Sequence, residues 1–237
     1  MRYYPDHLEH HGIKGQKWGV RRFQNKDGTR IKHFPDKDLL GWEPDPNYKP
    51  TSELAKRCAS NINPTHSRSN CGSCASAILL NMLGGNYQAL DEVPEHMRLK
   101  GHKGYDPEKL IECFEGAEWS DIIKDNNGSQ KKVSNSLERQ LLSQGDGAKG
   151  IFFSEAIIPN KPGHYFCYAI ENSKIHVLEG QPASGQDGID YHADFYNEVG
   201  KMFKTMDGAT GVFYTRLDNC PVKSDRLGDI VKERKEN

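Results

Sequence analysis

Hydrophobic positions are spread unevenly along this chain. Residues 1 to about 57 carry few apolar side chains and show neither a helical nor a strand period, so this stretch predicts an arm and a linker. Gly12, Gly15 and Gly19 punctuate it, Asn25-Lys26-Asp27-Gly28 signals a turn, and Pro35, Pro44, Pro46 and Pro50 mark an extended linker. A short helix is expected from Ser52 (Leu54, Ala55, Cys58), then a loop at Asn61-Ile62-Asn63-Pro64. The next apolar run is strongly helical. Ala77, Ile78 and Leu80 to Leu83 follow Asn70-Cys71-Gly72-Ser73-Cys74, Gly84-Gly85 stops the run, and Asn70 is placed to accept an orphan first-turn N–H as N-cap.

Two more helices follow. Asp106-Pro107-Glu108 has the cap, the first-position proline and the first-turn acid of a helix that closes before Gly116. Asn135 with Glu138 reads as a capping box opening a helix that buries Leu137, Leu141 and Leu142. The period then changes. Gly150–Phe153, His164–Ile170, Lys174–Leu178 and Gly211–Thr215 are aromatic and β-branched runs between turns, the marks of antiparallel strands. Helices first and strands later predict an α+β fold with the sheet packed on the Cys71 helix. The charged segment from Arg226 to Asn237 is expected to fray. The expected organisation is an arm and linker over 1–57, one domain over 58–225 and a tail over 226–237.

Composition narrows the function classes. The chain has 237 residues, of which 35% are hydrophobic and 27% charged, and its formal net charge of -1 argues against a field that gathers nucleic acid. No apolar run is long enough to span a membrane, and the polar start is unlike a secretory signal. Six cysteines, at 58, 71, 74, 113, 167 and 220, read as reduced thiols rather than a disulfide framework. His7, His10 and His11 lack further ligands at metal spacing, and Lys14, Lys17, Arg21 and Arg22 suit a solvated or protein-docking arm as well as a phosphate contact.

Chemistry concentrates at Cys71, because a thiol in the first helical turn meets unpaired N–H groups and the positive end of the dipole, which favour thiolate. A partner histidine comes from the strands. If Asn172-Ser173 forms a two-residue loop, His164 lies opposite Gln181 and Phe166 opposite Glu179, all four sharing one face, with Glu179 diagonal to His164. A three-residue loop would put His164 and Glu179 on opposite faces. Gly163 before the histidine leaves room for a close approach by a ligand or helix. The alternatives are bland ones. Cys71 and Cys74 are equally readable as buried thiols, or as one knuckle of a zinc site whose second knuckle is missing, and His164 and Glu179 as ordinary strand residues.

Two resemblances extend this reading. The segment from His11 to Thr29, H-G-I-K-G-Q-K-W-G-V-R-R-F-Q-N-K-D-G-T, resembles a short N-terminal segment of tailed-phage head-associated proteins, which implies association with phage head components through residues 10–30. From about Cys58 onward, N-C-G-S-C-A-S-A, P-G-H-Y-F, L-E-G-Q-P-A-S-G and Arg216-Leu217-Asp218-Asn219 resemble, in order, the motifs of papain-fold toxin domains, a group described as glutamine deamidases. That resemblance implies a papain-like fold with Cys71 as nucleophile, His164 as base and Glu179 as acid, where the family usually has Asp. C-G-S-C also resembles papain's own motif, which would make Cys74 the nucleophile; papain's oxyanion glutamine would then fall at Arg68. The N-C junction and the first-turn position favour Cys71. Oxyanion donors would be first-turn amides, with Gln181 or Asn70 as side-chain candidates. The function so implied is a cysteine hydrolase that deamidates glutamine in a protein target, without metal or organic cofactor. It would act from a virion or in a host cytoplasm, with an immunity protein as a further partner. A peptidase, or a non-catalytic virion protein keeping the fold, are the rival readings.

Overall fold

The computed structural model describes residues 58–59, 61–121, 123, 130–155, 163–181, 189–190 and 211–234. The chain divides into two units, Met1–Pro35 and Asp36–Asn237, and every described residue belongs to the second. The arm, its histidines, the linker and the helix from Ser52 as far as residue 57 therefore lie outside the described residues.

Helix α1 runs Cys71–Met82 and is buried along most of its length, as its run of small and aliphatic residues requires. It ends where Gly84 takes φ +100, a conformation that β-carbons oppose, and the Gly85 amide donates back to the Leu80 carbonyl at 2.9 Å. Strand β1 (Tyr87–Ala89) follows, then the single-turn helix Glu95–Met97. Helix α2 (Pro107–Ile111) starts as expected: Asp106 Oδ1 accepts from the Glu108 amide at 3.0 Å and Pro107 opens the first turn. Helix α3 spans Gln130–Leu142, so Asn135 is in its interior and opens no capping box. Val133, Leu137 and Leu141 supply the buried stripe, while Leu142 is only partly buried. Val133 extends the apolar repeat one turn towards the N-terminus and is buried with Leu137 and Leu141.

A five-stranded antiparallel sheet holds β2 (Lys149–Glu155), β3 (His164–Glu171), β4 (Lys174–Glu179), β5 (Ile189–Asp190) and β6 (Gly211–Arg216) in the order β5-β4-β3-β2-β6. All four runs read as strands are strands. Asn172 (φ 52) and Ser173 (φ 59) form the two-residue loop, and Glu171 pairs with Lys174 and Cys167 with Leu178. Positive φ at both loop positions matches the right-handed twist of the strands, and this fixes the register. At the far edge Arg216 donates to Asp218 from Nε (2.8 Å) and Nη2 (2.9 Å), and Asp218 Oδ1 accepts the Lys149 amide at 2.9 Å. The R-L-D-N segment thus clamps the end of β6 to the start of β2.

Helices cover both faces. Ile151, Phe153, Tyr165, Cys167, Ala169 and Leu178 pack on α1, while Phe152, Phe166, Tyr168, Ile170 and Val177 pack on α3. The mixed α+β class with antiparallel pairing matches the sequence pattern. Gly163 differs from expectation: a β-carbon there would lie 2.3 Å from the Phe153 ring and 2.6 Å from the Ser154 carbonyl, so strand β2 already fills the space left for a ligand.

The C-terminal segment is the largest correction. Helix α4 (Leu227–Ile230) and strand β7 (Val231–Glu233) are part of the domain, with β7 antiparallel to β1 and Ala89 opposite Val231. Ile230 and Val231 are in the core, Ser73 Oγ donates to the Ile230 carbonyl at 2.5 Å, and Tyr105 Oη donates to the Asp229 carbonyl at 2.9 Å. Charged neighbours such as Lys232, paired with Asp91 at 2.7 Å, hid a short apolar pair whose burial decides the matter. Ile230→Ala is therefore expected to cost about 2–5 kcal/mol in urea unfolding, whereas Lys232→Ala, which removes only a surface ion pair, should stay within about 1 kcal/mol.

Candidate active site

The site is built where three elements end at one end of the sheet. Cys71 is the first residue of α1, His164 the first of β3 and Glu179 the last of β4. Strand alternation puts His164 and Glu179 in the layer of Phe166, away from α1. At the strand end this no longer separates them from the helix. The Cys71 side chain raises the proton affinity of the imidazole electrostatically, and the ring packs edge-on against Phe166 with ring centroids 4.4 Å apart.

His164 Nε2 and Glu179 Oε2 are 2.6 Å apart, and the Glu179 side chain is buried. A carboxylate can only accept, so the imidazole proton sits on Nε2 and Nδ1 is the nitrogen left for the thiol. The second carboxylate oxygen, Oε1, accepts the Gln181 amide at 2.6 Å. Two charge-assisted hydrogen bonds offset the cost of burying that charge. Burial by itself pulls the His164 pKa down, but the Glu179 charge, the influence of Cys71 and the hydrogen bond the ring donates to Glu179 raise it well above the usual histidine value. The imidazole is thereby biased toward imidazolium, the form that holds a neighbouring sulfur as thiolate.

The two cysteines differ sharply. Cys71 meets the histidine. Cys74 lies one turn deeper, its Sγ donating to Asn70 Oδ1 at 3.5 Å and its Cβ 2.9 Å from where a β-carbon on Gly180 would stand. Burial, then the charges of Glu179 and Cys71, push the Cys74 thiol well up. Its place beside His164 makes Cys71 the candidate nucleophile, and the raised pKa marks Cys74 as a core thiol.

Asn70 and Gln181 occupy other posts than the sequence predicts. Asn70 makes no side-chain cap bond. It is wholly buried, and its Nδ2 donates to Asn63 Oδ1 (3.0 Å) and to the Leu90 carbonyl (2.7 Å), which uses both of its N–H groups. Gln181 Nε2 donates to Asn70 Oδ1 (2.8 Å) and to the Ser67 carbonyl (3.1 Å). Both amides are spent within the protein, so neither is a free oxyanion donor. The first intrahelical bond runs from the Cys74 amide to the Asn70 carbonyl at 2.9 Å, and the amides of Cys71, Gly72 and Ser73 meet no acceptor among the described residues. Those main-chain groups are the oxyanion donors the site offers.

Sequence reasoning missed Asn63 and Ser67, which complete the amide cluster, and Tyr105, whose ring lies 2.7 Å from where a β-carbon on Gly72 would stand. Only the fold brings these loops together, so no local signal marked them. Among the described residues, no group of three or more His, Cys, Asp or Glu is arranged to hold a metal ion, and no helix is long and apolar enough to cross a membrane.

If Glu179 holds the imidazolium, Glu179→Gln should slow the alkylation of Cys71 by iodoacetamide at neutral pH by about 10-fold or more. An unchanged rate would remove Glu179 from the site. Comparison with known proteins adds one match, and it lies outside the domain: residues 1–25 fit the sequence model of a family of unknown function (DUF7211). No curated protein and no solved structure matches the chain.

Proposed function

We propose that this protein is a papain-like cysteine hydrolase acting on a carboxamide, with the glutamine side chain of a protein target as its substrate. The observation that carries the proposal is the His164 imidazole bonded to the buried Glu179 carboxylate at 2.6 Å, with the element ends that hold them bringing Cys71 close enough to act on the ring electrostatically. Thiol, imidazole and carboxylate in that order form the minimal set for acyl transfer through a thioester. The choice of glutamine rests on the resemblance of the N-C-G-S-C, G-H and E-G-Q motifs to papain-fold toxin domains.

The chemistry follows from the protonation states. His164 Nδ1 takes the thiol proton, and Cys71 Sγ adds to the amide carbon. The oxyanion is met by first-turn amides of α1. As the C–N bond breaks, the imidazolium gives its proton to the departing nitrogen, leaving ammonia and a thioester. Water then adds to the thioester with its proton going to His164. The C–S bond breaks, releasing glutamate and restoring the thiolate and imidazolium. Glu179 keeps the Nε2 proton in place throughout and steadies the positive ring.

Residues 11–29 support association of this hydrolase with a phage particle, since they resemble phage head segments. The domain would then act on a protein in the infected cell. Incubation with host proteins should release ammonia and add about 1 Da per converted glutamine, and Cys71→Ala should lower the rate by at least about 10³-fold. Peptide fragments without that mass gain would identify a peptidase instead. A Cys71 thiol that reacts as slowly as a free cysteine, with neither product formed, would leave a non-catalytic virion protein.

A further inference from the structure

Asn70 stands at the N-cap position and yet does not cap, with φ −107, ψ 23 and no side-chain bond to the first turn. Asparagine is among the best N-caps because its Oδ1 readily accepts an N–H from N2 or N3. Here that oxygen is already taken from two sides, by Gln181 Nε2 at 2.8 Å and by the Cys74 thiol at 3.5 Å. The Nδ2 side donates to Asn63 Oδ1 and the Leu90 carbonyl, so Gln181 and the Cys74 thiol are the partners that hold the oxygen side. Asn63 is itself locked, because its Oδ1 also accepts the Ser67 amide at 3.2 Å and its Nδ2 donates to the Ser67 carbonyl at 2.9 Å.

From this arrangement we infer that Gln181 is a positioning residue that withholds Asn70 from capping α1, so that the first-turn amides stay open for the oxyanion. The inference rests on the hydrolase reading above and adds a role that the catalytic triad does not include. A released Asn70 would turn its oxygen onto the Ser73 or Gly72 amide, satisfy the helix and close the oxyanion site. The same residue serves the triad from its backbone, whose amide holds Glu179 Oε1. Cys74 acquires a function here as the second restraint on Asn70, which accounts for two cysteines one turn apart with only one facing the histidine.

Two reagents separate the oxyanion site from the nucleophile. The thiolate displaces iodide from iodoacetamide directly, forming the C–S bond as the C–I bond breaks, and no oxyanion develops. p-Nitrophenyl acetate acylates the same sulfur through a tetrahedral oxyanion, forming the C–S bond and expelling p-nitrophenolate. Both single-turnover rates at Cys71 are read by intact mass for wild type and for Gln181→Met, which keeps the chain length and the backbone amide. The ratio of acylation to alkylation should fall about 10-fold or more, toward the roughly 10²-fold that loss of one oxyanion donor causes, with alkylation and its pH midpoint nearly unchanged. Cys74→Ala, a milder change, should lower the ratio in the same direction, and Asn70→Ala added to Gln181→Met should restore it, since alanine has no oxygen to cap with.

Equal loss of both rates would overturn the inference, placing Gln181 in support of the fold or of the His164–Glu179 pair. An unchanged ratio in both Gln181→Met and Cys74→Ala would overturn it as well, leaving the hydrolase reading intact. A wild-type thiol slow toward both reagents would overturn the hydrolase reading, and this inference with it.

Discussion

A carboxylate buried at the end of a strand governs the rest of this site. Glu179 has lost its water, and a charge in that position persists only if both oxygens are met by donors of suitable geometry. One donor is the His164 ring and the other the Gln181 amide. Each of those contacts constrains something larger. The ring contact fixes which nitrogen carries the proton and therefore which nitrogen faces Cys71. The amide contact fixes the path of the chain after β4, and with it the side chain that reaches Asn70.

That constraint explains why a helix on one face of the sheet can cooperate with side chains that alternate onto the other. Side chains in the middle of a strand are separated by the sheet itself, but at element ends no such barrier exists. Cys71, His164 and Glu179 are all terminal positions. Beneath them, the helix is held to the strand end by buried amide hydrogen bonds rather than by apolar packing alone. Amide networks of this kind are directional, so they set the position of α1 along its axis as well as its distance from the sheet.

The C-terminal segment supports the same end of α1. Ser73, two residues after the thiol, donates to the Ile230 carbonyl and accepts the Leu90 amide at 2.7 Å, so helix, loop and chain end meet at one hydroxyl. On the opposite side of that turn, Gly72 lets Tyr105 and Leu110 approach. The first turn of α1 is thus held from several directions while its own amides stay open. A helix start that is rigid but uncapped is a stabilisation forgone, the pattern expected where function competes with fold.

Local chemistry in the sequence settled a good deal. The Asn172-Ser173 loop has residues that tolerate positive φ, so the hairpin register, and with it the sharing of one face by His164 and Glu179, was legible before any coordinates. Cys71 in a first helical turn, the Asp106-Pro107 helix start and the four aromatic strands were legible for the same reason: each depends on neighbours within a few residues. What tertiary structure alone decided are the choices between competing partners. Asn70 had a good local use as a cap, and Gln181, over a hundred positions away, took its oxygen instead. Ile230 and Val231 sat among charges that read as a frayed end, and β1 paired with them. Gly163 gave its space to Phe153, and Val133 joined the buried stripe of α3 one turn before Leu137. A short-range pattern fixes what a residue is able to do. Which of those abilities is used depends on distant groups that only the folded chain brings within reach.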